Sequence, residues 1–195
     1  FDTRALRFAD DNLKTKIIEL DAPGTQHKKL LVCKKKKIEL PEKLHFVPID
    51  FDKDSLRKNL AKARFKKGVK TLYILEGLTM YLTRAGIENT FTFIKESSGP
   101  GSLIVFDYIY ASVLRRENKC YGEEEIYKKV SKVGEGWYFG IEDGKIKDFL
   151  AEYDFELVDH KTAKDLEKTY FINAKKQVVG RINGTHAILT AVKKH

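Results

Sequence analysis

Four short apolar runs are spaced along the first half of the chain, and stretches with helical periodicity separate them. Each run has four to six residues, the length of a buried strand rather than of a helix. Between the runs, apolar residues such as Leu56, Leu60 and Ala63 recur every three or four positions, which is typical of a helix with one buried face. The runs cover residues 16–21, 45–49, 71–75 and 103–106. This alternation predicts an α/β fold with βαβ units, in which helices cover both faces of a parallel sheet.

Residues that favour helix starts stand where the helical stretches begin. Pro23 opens the first stretch, because proline is favoured in the first turn of a helix, where its missing N–H is not needed. Asp54 or Ser55 is predicted to cap the second helix and Thr83 the third, since their side-chain oxygens accept a backbone N–H that lacks a helical partner. The segment 98–101, which contains glycine and proline, predicts a turn before the fourth strand.

The pattern changes after Tyr110. Residues 115–132 are highly charged and predict a helix. Residues 134–144 are punctuated by glycine and hold Trp137, the one tryptophan of the chain, beside Tyr138 and Phe139. An aromatic loop at this position predicts either a lid or pocket wall, or a local hydrophobic plug, and both interpretations stay open.

The last third of the chain predicts a helix followed by strands. The predicted helix covers residues 146–153, and the predicted strands cover 155–158, 178–181 and 187–192. The last strand alternates between apolar and polar residues and is expected to be antiparallel, with a turn at Asn183 and Gly184 before it. Neither internal repeats nor a low-complexity linker divides the chain, so a single domain is expected over residues 1–195.

The composition is that of a globular protein. Hydrophobic residues make up 42% and charged residues 33% of the 195 residues, too apolar a chain for intrinsic disorder. No run approaches the roughly 18 apolar residues of a membrane helix, and no membrane partner is expected. The two cysteines, Cys33 and Cys120, form no CxxC pair. This argues against a disulfide scaffold and a cysteine-ligated metal site, and it favours a reducing cytoplasm.

Basic residues exceed acidic ones by 37 to 28, which gives a formal net charge of +9. Part of the excess lies in residues 27–37, which carry six lysines and no acidic residue. Such a patch is typical either of a surface that tracks phosphates or of the solvated end of a helix. Neither aromatic residues nor arginines are interleaved with these lysines, so the helix end is favoured and no nucleic-acid partner is expected.

Acidic residues stand at the end of all four predicted strands of the first half. They are Asp21, Asp50, Glu76 and Asp107. In an open α/β sheet, ligands bind outside the carboxyl ends of the strands, so these acids are candidates for a binding site. The alternative is that they cap the helices that follow, and this is the interpretation we expect for Asp107. For Asp21 and Glu76 it is weaker, because neither lies directly before a clear helix start.

A row of carboxylates at such an edge suits a particular kind of ligand. A carboxylate after the second strand of such a fold can accept two hydrogen bonds from a ribose diol, one after the third can accept from an adenine amine, and one after the fourth can face a cation. The same charges would repel a pyrophosphate. The pattern therefore favours S-adenosylmethionine over NAD. Two rival functions stay open: a nucleotide- or NAD-binding α/β enzyme, and a basic binding module without enzymatic activity.

Five sequence motifs, taken in order, resemble those of the leucine carboxyl methyltransferase family, in its bacterial and archaeal branch of S-adenosylmethionine-dependent O-methyltransferases. They are Phe-Asp-Thr-Arg at residues 1–4, a Glu-x-Asp-x-Pro-x-Thr-Gln-x-x-Lys pattern at 19–26 with Lys28, Phe-Val-Pro-Ile-Asp-Phe at 46–51, Leu-Glu-Gly-Leu-Thr-Met-Tyr-Leu-Thr at 75–83, and Gly-Pro-Gly-Ser at 99–102 leading to Val-Phe-Asp-Tyr at 105–108. The resemblance runs from Phe1 to about Val192.

The resemblance implies a class I methyltransferase fold, a Rossmann-like three-layer sandwich with a mostly parallel sheet and an antiparallel C-terminal strand. It implies S-adenosylmethionine as the cofactor. Asp21 would hold the ribose, Asp50 and Phe51 would contact the adenine, and Glu76 would lie near the methionine end. Glu19 is the alternative to Asp21 as the residue that holds the ribose, because residues two apart on a strand point the same way.

In the family, the glycine loop that approaches the cofactor precedes the motif that begins this chain. Phe1 is not an initiator residue, so the chain is expected to begin after a cut, and as written it is expected to bind S-adenosylmethionine poorly.

The expected reaction is O-methyl transfer to a carboxylate or hydroxyl of a small molecule or protein. We identify no catalytic base, and His27, His45, His160 and His186 are all predicted to be surface or structural residues.

Overall fold

The computed structural model of the chain describes residues 2–9, 15–133 and 136–194. Two compact units are present, Phe1–Lys66 and Lys67–His195, and each is described by itself. The expectation of a single methyltransferase domain stays a prediction. Two residues of the sequence analysis, Phe1 and Gly134, lie outside the described residues.

The first unit contains one βαβ unit. Its elements are α1 (Arg4–Ala9), β1 (Ile17–Asp21), α2 (Pro23–Lys35), β2 (Leu44–Pro48) and α3 (Leu56–Lys62). β1 and β2 pair in parallel, with Ile17 opposite Leu44 and Asp21 opposite Pro48. A parallel pair needs a crossover connection, and α2 supplies it. The predicted strands and the helix opened by Pro23 are therefore confirmed.

The second unit is built on a mixed four-stranded sheet. Its elements are β3 (Leu72–Leu75), a 3₁₀ turn (Thr79–Tyr81), α4 (Arg84–Ser97), β4 (Leu103–Ile109), α5 (Ala111–Leu114), α6 (Glu123–Val133), α7 (Ile146–Glu152), β5 (Phe155–Thr162), α8 (Ala163–Tyr170) and β6 (His186–Lys193). The strand order is β3-β4-β6-β5. β3 and β4 are parallel, and β6 is antiparallel to both of its neighbours, as predicted for the last strand.

Side-chain caps fix where several helices begin. Ser55 accepts a hydrogen bond from the backbone N–H of Lys58 at 3.3 Å, and Thr83 accepts one from Gly86 at 3.1 Å. Both caps follow the prediction, which left open Asp54 or Ser55 for the first. Within the described ranges, no helix is both long enough and apolar enough to cross a membrane.

Aromatic side chains form the core of the second unit where α4 and α7 cover the sheet. The Phe91 ring lies edge-on to Phe106 at a centroid distance of 5.3 Å and to Phe149 at 4.9 Å, and it contacts Tyr153 at 5.2 Å. Burial of a phenylalanine side chain contributes roughly 1.5–3 kcal/mol, and edge-on ring pairs contribute somewhat more. This cluster holds α4 against β4 and so fixes the sheet edge described below.

Two predicted elements of the second unit are wrong in extent or in kind. Residues 115–122 are not helical, because the buried carboxylate of Glu123 accepts the backbone N–H groups of Asn118 and Cys120 and folds this segment into turns before α6. The predicted strand at 178–181 is absent. Val178 forms only an isolated bridge with Ile172, and no neighbouring strand extends it.

Candidate functional site

Asp21 and Asp50 lie at the same edge of the first unit. Asp21 is the last residue of β1, and Asp50 follows the end of β2 by two residues. The backbone N–H of Ile49 donates to the carbonyl of Asp21 at 2.9 Å, which holds the two strand ends side by side. The parallel pairing thus brings both predicted carboxylates, and Phe51 after them, to the carboxyl edge.

Glu19 and Asp21 have different surroundings although both lie on β1. The Lys29 ammonium lies 2.6 Å from each Glu19 carboxylate oxygen, with the two side chains only 3% and 12% exposed. Lys29 also donates to the carbonyl of Asp2 at 2.5 Å. Asp21 Oδ1 accepts the N–H of Ala22 at 2.7 Å, and its Oδ2 has no hydrogen-bond partner in the described part of the chain. Asp21 therefore keeps one carboxylate oxygen available, whereas Glu19 is held in an internal ion pair.

The lysine of the second motif is Lys29 rather than Lys28. Lys28 is exposed, whereas Gln26, Lys29 and Cys33 form the buried face of α2. Gln26 Nε2 donates to the carbonyl of Glu19 at 3.4 Å. This helix therefore packs on β1 through polar side chains. A pattern of recurring apolar residues does not reveal such a face.

Asp50 belongs to a tight turn after β2. Its carboxylate forms an ion pair with Lys53 at 3.0 Å, and Oδ1 accepts the N–H of Asp52 at 3.1 Å. The hydrogen bond from Lys53 lowers the pKa of Asp50 below its ordinary value, so the carboxylate is charged at neutral pH. Phe51, the next residue, is partly exposed.

Glu76 belongs to the second unit, where it follows β3. Gly77, the next residue, has a φ of +60°, a left-handed conformation that glycine adopts without strain. Its N–H donates to Asp107 Oδ1 at 2.7 Å, and the Thr79 hydroxyl donates to the Asp107 carbonyl at 2.6 Å. The loop that carries Glu76 is thereby attached to β4.

The expectation that Asp107 caps a helix is wrong. The strand continues past Asp107 to Ile109, and Tyr110, which directly precedes α5, makes no side-chain cap. Asp107 instead uses its carboxylate to hold Gly77. Burial raises the pKa of Asp107, while the hydrogen bond from Gly77 and the nearby His186 act in the opposite direction.

His186 is a candidate site residue that the sequence analysis assigned to a structural role. It is the first residue of β6 and pairs with Ile109, the last residue of β4. Because β6 is antiparallel, its beginning lies at the edge where β3 and β4 end. The alternating pattern that predicted an antiparallel last strand was the available signal, since that direction alone places its first residue here.

The environment of His186 is polar and partly buried. Its Nδ1 lies 2.7 Å from the Thr185 hydroxyl, and the Trp137 ring meets the imidazole edge-on at 5.5 Å. The indole N–H of Trp137 is buried and has no hydrogen-bond partner among the residues that the structure describes. Burial lowers the pKa of His186, while Asp107 raises it.

The aromatic loop joins this edge through its backbone. The N–H groups of Tyr138 and Phe139 both donate to the carbonyl of Met80, at 2.8 and 3.3 Å. Phe139 contacts the Phe149 ring of the core at 5.8 Å, while Tyr138 is 64% exposed. The contact of Phe139 supports the interpretation as a local hydrophobic plug, whereas a lid or pocket wall stays a prediction.

Two further polar side chains of the second unit, Tyr108 and Arg115, make local contacts. Tyr108 lies within β4, and its hydroxyl is 3.0 Å from His160 Nε2, with the two rings stacked. Burial raises the pKa of Tyr108 well above its ordinary value. Arg115 forms exposed ion pairs with Glu117 and Glu142. The contact with Tyr108 supports the predicted structural role of His160.

The lysines of residues 27–37 mainly form a helix end, as predicted. Lys34 and Lys35 occupy the last turn of α2, where cations interact favourably with the helix dipole.

A cavity of about 730 Å³ lies at the opposite, amino-terminal ends of β1 and β2, and it includes Lys16 and Lys43 in its wall. The Lys16 ammonium donates to the carbonyls of Ala63 and Arg64, so it closes the end of α3.

Comparison with known proteins confirms the resemblance found in the motifs. The family described as leucine carboxyl methyltransferase matches residues 1–95. A Bacillus subtilis (strain 168) protein, "Putative S-adenosyl-L-methionine-dependent methyltransferase YktD", is 28% identical over 174 residues, which are 89% of this chain and 57% of that protein. The chain thus spans little more than half the length of this curated relative.

Solved structures show the fold. The magnesium protoporphyrin IX methyltransferase ChlM from Synechocystis PCC 6803 aligns with a TM-score of 0.54 at 9% identity, over 97% of this chain and 68% of that one. TehB from Haemophilus influenzae aligns with a TM-score of 0.52 at 12% identity, over 93% and 51%. The predicted class I methyltransferase fold is confirmed.

Proposed function

We infer, from a chain whose residues 1–95 match the leucine carboxyl methyltransferase family, that its function is S-adenosylmethionine-dependent methyl transfer. The observation that carries this proposal is the contrast between two acids on β1. Glu19 is neutralised by the buried Lys29, while Asp21 keeps a carboxylate oxygen available at the edge. This arrangement supports Asp21, rather than Glu19, as the residue that binds the ribose hydroxyls of the cofactor.

The remaining site residues are assigned within each unit. Asp50 would accept a hydrogen bond from the adenine amine and Phe51 would contact the ring, since both follow β2 beside Asp21. Glu76 would lie near the cationic methionine end, because its loop is held by Asp107 at the corresponding edge of the second unit. Three carboxylates suit a ligand that carries a diol, an amine and positive charge. They do not suit a pyrophosphate, which disfavours NAD.

S-adenosylmethionine supplies a methyl group on a sulfonium, and the protein mainly positions and desolvates the reactants. The proposed acceptor oxygen belongs to a carboxylate or a hydroxyl of a small molecule or protein.

Both cysteines are free, and Cys33 is buried. This supports the cytoplasm as the proposed location.

Calorimetric titration with S-adenosylmethionine tests the proposal. It uses the chain and, separately, the chain with any residues that its gene encodes ahead of Phe1. In whichever form binds, Asp21→Asn is expected to weaken binding about tenfold to a hundredfold, because hydrogen bonds to a charged group contribute about 1.5–3 kcal/mol. Asp52→Asn, an exposed acid near the same edge, is the matched control.

Two results would contradict the proposal. One is binding of NAD in preference to S-adenosylmethionine by both forms. The other is unchanged affinity in Asp21→Asn, which would remove Asp21 from the site. Binding of nucleic acid with a steep dependence on salt would instead support the rival binding module.

A further inference from the structure

His186 and Asp107 lie on the same face of the second sheet at its carboxyl edge. His186 pairs with Ile109, and Asp107 lies two residues before Ile109 on the same strand. Side chains two apart on a strand point to the same face, so Asp107 and His186 are diagonal neighbours across β4 and β6. The loop that carries Glu76 is held by this same Asp107. An imidazole thus lies at the edge where the proposed function places the methyl donor's cationic end.

A chain of hydrogen bonds determines which imidazole nitrogen carries the proton. Asn183 Nδ2 donates to the carbonyl of Gly122 at 2.9 Å, which turns Asn183 Oδ1 toward Thr185. This oxygen accepts the backbone N–H of Thr185 at 3.0 Å and also the Thr185 hydroxyl proton. A hydroxyl has one proton, so the Thr185 oxygen acts as an acceptor toward His186, and Nδ1–H is its donor. The neutral imidazole then keeps its lone pair on Nε2.

Nothing in the described part of the chain hydrogen-bonds to Nε2. The residues of this hydrogen-bond network are buried or partly buried, and Thr185 is 0% exposed. They are Gly122, Asn183 and Thr185. Such a network holds one tautomer in place, since reversal would leave Nδ1 and the Thr185 oxygen without a shared proton. The Trp137 ring meets the same imidazole edge-on, and its buried indole N–H has no hydrogen-bond partner among the described residues.

We propose that His186 Nε2 accepts the proton of the methyl acceptor, and that the acceptor oxygen is therefore a hydroxyl, phenolic or alcoholic, rather than a carboxylate. This inference rests on the proposed methyltransferase function. Thr185 and Asn183 are positioning residues, because they act on the acceptor only through the imidazole.

The step balances without a further reactant. The acceptor oxygen forms a bond to the methyl carbon as the carbon–sulfur bond breaks, and the electron pair of that bond stays on a neutral thioether sulfur. The hydroxyl proton passes to His186 Nε2, and the imidazolium releases it to water. A carboxylate is already ionised near neutral pH and needs no such base.

The charged surroundings of His186 leave it able to take a proton. Asp107 from β4 favours the imidazolium, whereas burial favours the neutral ring and outweighs it, so the pKa of His186 lies below its ordinary value. Thr185 and Trp137, the other groups against the ring, carry no charge. The ring is consequently neutral near pH 7.

Nitrogen NMR of the histidine-labelled chain tests the tautomer without any assay of activity. His186 is expected to show a protonated Nδ1 and an unprotonated Nε2 at pH 7.5, with its signals assigned by their loss in His186→Gln. Thr185→Val is expected to shift the ring toward the Nε2–H tautomer, and Thr185→Ser to restore the original. Thr190→Val, within β6 and four residues after His186, is the matched control. A wild-type ring protonated on Nε2, or charged at this pH, overturns the inference.

Methyl transfer to paired hydroxyl and carboxylate acceptors separates this inference from the proposed function. It uses the form of the protein that binds S-adenosylmethionine. His186→Gln is expected to lower transfer to hydroxyls about a hundredfold or more, and Thr185→Val is expected to lower it while Thr185→Ser does not. Transfer to carboxylates only, or hydroxyl transfer that His186→Gln leaves unchanged, overturns the inference alone. Transfer to neither kind of acceptor defeats the proposed function and the inference together.

Discussion

The Lys29 ammonium lies 2.6 Å from both carboxylate oxygens of Glu19, and the two side chains join the buried face of α2 to β1. The pair shows why two acids of one motif differ in their surroundings. Glu19 is held inside the first unit, whereas Asp21 at the strand end keeps a carboxylate oxygen without a partner in the described part of the chain. Replacement of either partner leaves a buried charge unpaired.

Lys29→Met is therefore expected to lower the free energy of unfolding by roughly 3–5 kcal/mol, because the carboxylate of Glu19 loses its partner. Urea denaturation followed by circular dichroism measures this change. The double variant Lys29→Met with Glu19→Gln is expected to recover much of the loss. Lys28→Met, at the exposed neighbouring position, is the control and is expected to change little. Equal effects of Lys28→Met and Lys29→Met would contradict the buried pair.

Asp107→Asn is expected to lower the pKa of His186 further. The charge of Asp107 is what favours the imidazolium, and asparagine removes that charge while its oxygen can still accept the N–H of Gly77. Titration of the His186 ring signals by NMR measures the shift. Asp143→Asn makes the same change of charge near Tyr108 and Tyr110 instead, and it is expected to leave His186 unchanged. A His186 pKa that stays the same or rises in Asp107→Asn contradicts this relationship.

Gly99→Ala is expected to destabilise the second unit by about 1–3 kcal/mol, the usual range for overpacking. A Cβ at Gly99 would meet the backbone carbonyl of Gly68 and lie 2.8 Å from the carbonyl carbon of Val69, and backbone atoms cannot move aside as a flexible side chain can. Thermal unfolding monitored by circular dichroism measures the loss.

Gly24→Ala is the matched comparison for that substitution. No atom lies within 4 Å of a Cβ at Gly24, and alanine favours a helix by at most about 1 kcal/mol over glycine. We expect unchanged or slightly raised stability. If the two alanine variants unfold at the same temperature, this contradicts the close packing of Gly99 against the backbone of Gly68 and Val69.

The capping box of α8 is expected to make part of the stability dependent on pH. Thr162 and Asp165 exchange hydrogen bonds between side chain and backbone, and the bonds from Thr162 lower the pKa of Asp165. A lowered folded pKa contributes stability above the unfolded value of about 3.9, and that stability is lost as the pH falls below it.

Thr162→Ala is accordingly expected to cost about 1 kcal/mol at pH 7 and less at pH 3, because this pH lies below the unfolded pKa of about 3.9 and the stabilisation by the ionised carboxylate is already falling. Urea denaturation at both pH values gives the two differences. Thr169→Ala removes an exposed hydroxyl of the same helix that donates to the Asp165 carbonyl rather than to its carboxylate, and its effect should be similar at both. A cost for Thr162→Ala that is equal at pH 3 and pH 7 would exclude the ionised cap.

Local signals in the sequence predicted most of the helix starts and strands. Ser55 and Thr83 were found because a cap is made with a backbone N–H only three residues away. Asp107 was misassigned because the same carboxylate suits either a helix cap or a distant N–H. Its true partner, Gly77, lies thirty residues away in the chain.

Local sequence patterns predict the α/β order, the parallel βαβ pattern of the first half and the acids at the strand ends, because these follow from residues close together in the chain. Contacts between distant residues settle which acid is neutralised, which lysine is buried and which histidine lies at the edge where β3 and β4 end. Glu19 and Lys29 meet only when α2 folds back on β1, and His186 reaches the edge of the second unit's sheet only through antiparallel pairing with β4. Burial and pairing depend on partners distant in the chain, and no local sequence pattern records those partners.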